Sequence, residues 1–203
     1  MKRISVRRIL LASIPRALAL LLLCSCMDRH RAPGDSGDLL TGLTRPMDDF
    51  RAARVSSYDR SGGNADALSG LGPGQSAVLA DLQGPGMIAH IWFTIAAEKY
   101  HGRTLVLRAY WDDEPDPSIL TPVNDFFCMG HGMEAAMWSL PIVTTATGRA
   151  RNCFFKMPFN KRARIEIVNE GLDTVGAFYY YIDYRKYDKP LRDPLYFHAR
   201  YRQ

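Results

Sequence analysis

The sequence predicts an all-β sandwich. Three observations lead there. From Ser76 onward, seven segments of strand character are separated by clusters of turn residues, a spacing typical of sandwiches. The clearest of them, 103–111, alternates: Leu105, Leu107, Ala109 and Trp111 fall on one face, and Thr104, Val106, Arg108 and Tyr110 on the other. That period of two marks a strand with one face in a core. Nothing after Ser76 holds a helical period of useful length.

The 203 residues fit one ordinary domain with extensions, and 47% hydrophobic content suffices for a core. The formal charge of +5 misleads. Five basic residues (Lys2, Arg3, Arg7, Arg8 and Arg16) lie in an acid-free stretch of 25, leaving 21 basic residues against 21 acidic ones elsewhere. A balanced body gives no reason to expect nucleic acid as a partner.

Residues 1–25 read as an export signal, because basic residues precede the apolar run Ala17 to Leu23, too short to cross a bilayer. The run closes on Leu23-Cys24-Ser25-Cys26, in which Cys26 has a leucine three positions before it and a small residue one before it. That register resembles a bacterial lipoprotein box, with Cys26 as the residue to be modified. The alternative is an ordinary secretory signal with incidental cysteines. A diacylated Cys26 would tether the protein to a membrane surface, on the periplasmic side or at the cell surface, without a spanning helix. Residues 26–42 are polar, with Pro33, Gly34 and Gly37, and read as a flexible tether.

Thr44-Arg45-Pro46 followed by residues 47–54 predicts a short capped helix, with proline in the first turn and Asp48 and Asp49 at its positive end. A polar loop follows from Ser56 to Asp66, with Gly62 and Gly63 adjacent. The glycines at 70, 72 and 74 precede a strand rather than opening a helix, so they are no dinucleotide loop. Strands are then expected at 76–82, 87–95, 103–111, 118–123, 152–159, 162–169 and 175–184. The last is aromatic on both faces, which fits a central strand or one whose outer face is covered. After residue 187 the chain carries Pro190 and Pro194, turns aromatic and basic, and stops without a turn signal.

Among chemical candidates, Asp112, Asp113, Glu114 and Asp116 lack the alternate-position ligands and central glycine of a calcium loop, and read as a solvated hairpin turn. No metal site and no cofactor are expected. His90 lies inside a strand and reads as structural. Asp125 follows a strand beside Phe126 and Phe127. It either hydrogen-bonds sugar hydroxyls while an aromatic face stacks on the ring, or caps the amides of the next loop. His131, between two glycines, is the histidine freest to face a ligand. Cys128 and Cys153 are either a bridge, which an exported compartment permits, or two half-buried thiols.

Six stretches then converge: 56–68 (SSYDRSGGNADAL), 81–94 (DLQGPGMIAHIWFT), 107–119 (LRAYWDDEPDPSI), 122–132 (PVNDFFCMGHG), 152–170 (NCFFKMPFNKRARIEIVNE) and 179–184 (YYYIDY). In this order they resemble glycoside hydrolase family 172, formerly grouped as domain of unknown function 2961. The resemblance spans residues 42 to about 202. It implies a jelly-roll sandwich at 43–187, the first of two in tandem, with 188–203 as the start of a linker. It also implies trimeric assembly and retaining action on fructofuranosides or arabinofuranosides. The family's two catalytic glutamates lie in Trp-Gly-Glu-Gly-Asp and Gly-Thr-Glu-Asp-Tyr-Phe stretches of its second half, and neither stretch occurs here. Asn124 and Cys128 depart from the glycines usual around Asp-Phe-Phe.

The expectation is thus a truncated first half of an exported furanosidase-like hydrolase, inactive alone, with no catalytic residue of its own. Its sugar pocket would be walled by Asp59, Arg60, Asn64, Asp66, Asp125, Phe126 and His131. The competing expectation is a surface carbohydrate-binding or assembly module without catalysis.

Overall fold

The computed structural model describes residues 49–98 and 100–202. The expected leader, Cys26, the expected tether and the first part of the expected helix lie outside them. The described chain is an all-β sandwich of two sheets. Its strands are β1 (Arg51–Ser56), β2 (Ser76–Gln83), β3 (Gly86–Ala96), β4 (Leu105–Trp111), β5 (Ile119–Pro122), β6 (Met137–Trp138), β7 (Ile142–Thr145), β8 (Ala150–Cys153), β9 (Met157–Phe159), β10 (Arg162–Asn169), β11 (Ala177–Lys186) and β12 (Ala199–Arg200). One sheet runs β1-β11-β3-β8-β7-β6, with β9 also on β3, and the other runs β12-β5-β4-β10-β2. All pairings are antiparallel except that of β12 with β5.

Alternation places the core. Leu105, Leu107, Ala109 and Trp111 of β4 are buried, as are Ile91 and Phe93 of β3, Ile165 and Ile167 of β10, and Phe178 and Ile182 of β11. Each large apolar side chain so buried contributes about 1.5–3 kcal/mol before chain entropy is counted. β11 is a central strand, lying between β1 and β3, and Tyr179 and Tyr181 on its outer face are exposed. There Tyr181 stacks on Trp92 at 4.7 Å between ring centroids, and the Arg54 guanidinium lies over Tyr181. His90 is structural, held between Asp183 (3.0 Å) and Asn152 (3.1 Å) and stacked on Phe154.

Four expectations need correction. Residues 51–54 are strand, not helix, because β1 joins the edge of β11, where Arg54 pairs with Asp183 and Arg51 with Asp188. The segment 103–111 begins with a helical turn, His101–Thr104, and only Leu105 onward is strand. The segment 152–159 is two strands on β3, parted at Phe154–Lys156, where the Phe154 amide turns to the Pro141 carbonyl. The tail after 187 does not leave the domain. Trp111 donates its indole N–H to the Phe197 carbonyl at 2.7 Å, the Phe197 ring packs against the core, and β12 adds to β5. A buried indole needs an acceptor, and the returning tail supplies it. Cys128 and Cys153 are both free thiols. Burial pushes the Cys153 thiol up to about 12.

Candidate functional site

β5 ends at Pro122, and the chain makes one helical turn, Val123–Phe126, before a glycine-bracketed loop through His131. That turn carries Asp125 to the end of the sandwich, opposite the turn His101–Thr104. Arg103 Nη1 donates to Asp125 Oδ2 at 3.0 Å. The Arg103 guanidinium also lies 4.1 Å from the centre of the Tyr201 ring, and its Nη2 donates to the Tyr201 hydroxyl. The Tyr201 and Asp125 bonds hold the Arg103 pKa above its usual value, so it is a fixed cation.

These groups surround an open hollow of about 510 Å³, lined by Tyr100, Arg103, Asp125, His131 and Tyr201 among others. Among the described residues, Asp125 is the one carboxylate in its wall. Its side chain is 19% exposed, and no hydrogen bond reaches Oδ1 from the described residues. It makes no bond to the amides of the following loop, so the capping alternative is not what it does. Three residues around the hollow other than glycine have left-handed backbones: Tyr100 (φ 67°), Cys128 (φ 58°) and His131 (φ 62°). Each costs about 1–2 kcal/mol relative to an ordinary conformation, and such strain collects at binding sites.

The hollow unites Asp125 and His131 but not the other expected wall residues. Phe126 is buried, with Phe127 and Phe197 against its ring, so its faces belong to the core and not to a ligand. Asp59, Arg60, Asn64 and Asp66 lie in a different loop and do not line this hollow. Asp59 accepts from the Ser61 amide (2.9 Å), the Ser61 hydroxyl (2.7 Å) and the Ala65 amide (3.1 Å). The Ser61 hydroxyl, with the Ala65 and Ser61 amides, lowers its pKa to about 2. Asp66 accepts from the Asp59 amide at 2.7 Å, and Asn64 holds a left-handed turn at φ 65°. These carboxylates shape their own loop, and Arg60 stands exposed beside it.

Sequence reading missed a second polar cluster next to the first. Arg151, whose side chain is completely buried, donates to Glu134 Oε1 (2.7 Å), Asn124 Oδ1 (3.1 Å) and the Arg149 carbonyl (3.2 Å). Asn124 returns its N–H to the Met133 carbonyl at 3.1 Å. His101 donates Nδ1–H to the Glu98 carbonyl at 2.9 Å, leaving Nε2 as an acceptor 3.4 Å from Arg151 Nη2. Burial lowers the His101 pKa, so the ring is neutral there. The only sequence signal was the departure at Asn124. Its amide lies where a Cβ on Gly102 would collide with it, so the two residues are matched.

The family model for the first β-sandwich domain of GH172, glycoside hydrolase family 172, matches residues 48–202. The chain belongs to GH172. A search of curated proteins returns no match. The expected departure at Cys128 has a plain geometric reading in this GH172 domain: the left-handed backbone there is one glycine adopts without cost, and cysteine holds it against strain. The match continues through the tail that carries Tyr201, so the residue that flanks Arg103 is part of the domain. Among the described residues, no group of His, Cys, Asp and Glu is arranged to hold a metal ion.

Proposed function

We propose that this GH172 sandwich domain binds a furanoside of the fructofuranoside or arabinofuranoside class at the Asp125–His131 hollow. In this reading the domain supplies binding walls and not the acid pair that cleaves the bond. The observation that carries it is Asp125, a carboxylate fixed by Arg103 on one oxygen and open to the hollow on the other. Glycoside hydrolysis uses two carboxyl groups about 5–9.5 Å apart across the bond, and the described residues put one in the wall of this hollow. Arg103 matches its charge, which suits a neutral polyol. The leader composition and the Cys26 register support export and a lipid anchor, and the family resemblance supports a homo-trimer.

Calorimetric titration of methyl furanosides into the chain tests the proposal. Binding that Asp125→Ala abolishes is expected. No heat with any furanoside at millimolar concentration would overturn it. Hydrolysis of an aryl furanoside at enzyme-like rates by the chain alone would overturn the non-catalytic part.

A further inference from the structure

The hollow at Asp125 has a neighbour. A second one, about 440 Å³, is lined by Tyr100, His101, Asn124, Gly132, Met133 and Glu134 among others. Tyr100 and Gly132 are in the walls of both. The segment 130–134 runs along the pair, placing His131 in one and Glu134 in the other.

The second hollow has a fixed polar group. Glu134 Oε1 accepts from Arg151, which is completely buried behind it, while no hydrogen bond reaches Oε2 from the described residues. The support behind Glu134 is strongly constrained. Thr144 Oγ1 donates to the Ala135 carbonyl at 2.7 Å. Gly148 approaches so closely that a Cβ there would stand 2.7 Å from the Ala135 nitrogen. A buried guanidinium is costly unless its partners are well placed, and here the partners hold one carboxylate oxygen toward the open side.

Each hollow thus has the same charge balance: one carboxylate, one arginine paired with it (Arg103 in the wall of the first, Arg151 buried behind the second) and one carboxylate oxygen with no hydrogen bond from the described residues. Net charge near zero disfavours ionic ligands. Two acceptors in adjoining hollows call for two hydroxyl donors on one molecule. Tyr100, in the walls of both, and Met133, in the wall of the second, are 55% and 59% exposed and offer apolar surface. We propose that the two hollows are consecutive subsites for a single neutral oligosaccharide of at least two sugar units, one unit at Asp125 and the next at Glu134. This rests on the sugar-binding reading of the Asp125 hollow and adds the length of the ligand to it.

The test titrates a methyl furanoside and the corresponding disaccharide into the intact chain, its Glu134→Gln variant and its Asp125→Asn variant. The disaccharide is expected to bind more tightly than the monosaccharide. Glu134→Gln should weaken the disaccharide about tenfold, as loss of a charged hydrogen bond does, and leave the monosaccharide at its unmodified affinity. Asp125→Asn should weaken both. Should Glu134→Gln unfold, the imidazole resonance of His101 in the unmodified chain serves instead, moving with the disaccharide and not with the monosaccharide. Equal affinities for the two sugars, unchanged by Glu134→Gln, or a His101 signal indifferent to the disaccharide, would overturn the two-subsite proposal while leaving the Asp125 site standing. Binding of neither sugar would overturn the sugar-binding reading itself.

Discussion

Asp112 and Asp125 each follow a strand, β4 and β5, yet they belong to regions of opposite character. Asp112 is saturated. Its carboxylate accepts from the amides of Asn160 (2.9 Å), Lys161 (2.6 Å) and Arg162 (3.1 Å) and from the Tyr196 hydroxyl (2.6 Å), tying two turns and the tail together. Burial works to raise its pKa, but the tyrosine and the amides outweigh it and the net shift is downward. The same bond drives the Tyr196 hydroxyl up to about 12. Among the described residues, the Asp125 carboxylate has Arg103 as its one hydrogen-bond partner and one oxygen to spare. A carboxylate whose lone pairs are consumed by backbone amides is part of the architecture, and one left half-satisfied at a hollow can bind.

Breaking each end separately gives the largest contrast. Asp112→Ala orphans three amides and a hydroxyl, and should destabilise the domain by about 3 kcal/mol in denaturant unfolding. It should not change sugar affinity in whatever remains folded. Asp125→Ala removes one partly exposed ion pair and should cost less than about 1 kcal/mol while losing the sugar. Equal stability losses in the two variants would erase the distinction.

The matched pair Gly102 and Asn124 sharpens it next. Gly102→Ala drives a methyl into the Asn124 amide and should cost about 2 kcal/mol, within the range for overpacking. Combining it with Asn124→Gly should recover part of that loss, a coupling a double-mutant cycle measures. Simple additivity would mean that the two side chains do not meet.

The pH responses are smaller and differ in sign of charge. His101 is a base whose folded pKa burial has lowered from 6.5. Its neutral form is the one the fold favours, so its contribution is full above pH ~6.5 and is lost as pH falls from there toward the lowered folded value. His101→Gln should therefore flatten the pH dependence of unfolding between pH 7.5 and 5, and an unchanged slope would place the effect elsewhere. Asp59 is an acid lowered to about 2. Its loop stabilisation is present above its unfolded value near pH 4 and disappears as pH drops through about 2. A carboxyl resonance titrating near 4 would contradict the hydrogen bonds drawn for that loop.

Much of the fold was legible from one sequence because burial writes itself as period two. The β4 alternation, the β10 pattern and the turn clusters each showed locally. β1, β6, β7 and β12 were not legible: two are only two residues long, and β1 is polar and half-exposed at an edge, without an apolar stripe to betray it. The site was half legible. Asp125 and His131 stand close in sequence, so one loop brings them together. Asp59 is the same residue type in a more polar loop, and only its amide partners and the Ser61 hydroxyl reveal that it is spent on that loop.

By itself the sequence determined the sandwich class, the family motifs and which residues carry charge, since these depend on local periodicity and residue chemistry. Tertiary structure decided which charges are consumed and which stay open. Arg103 meets Tyr201 across 98 positions, and Arg151 meets Glu134 and Asn124 across 17 and 27. A hydrogen bond is set by distance and direction in space, and local periodicity and residue chemistry do not reveal where a returning tail will lie.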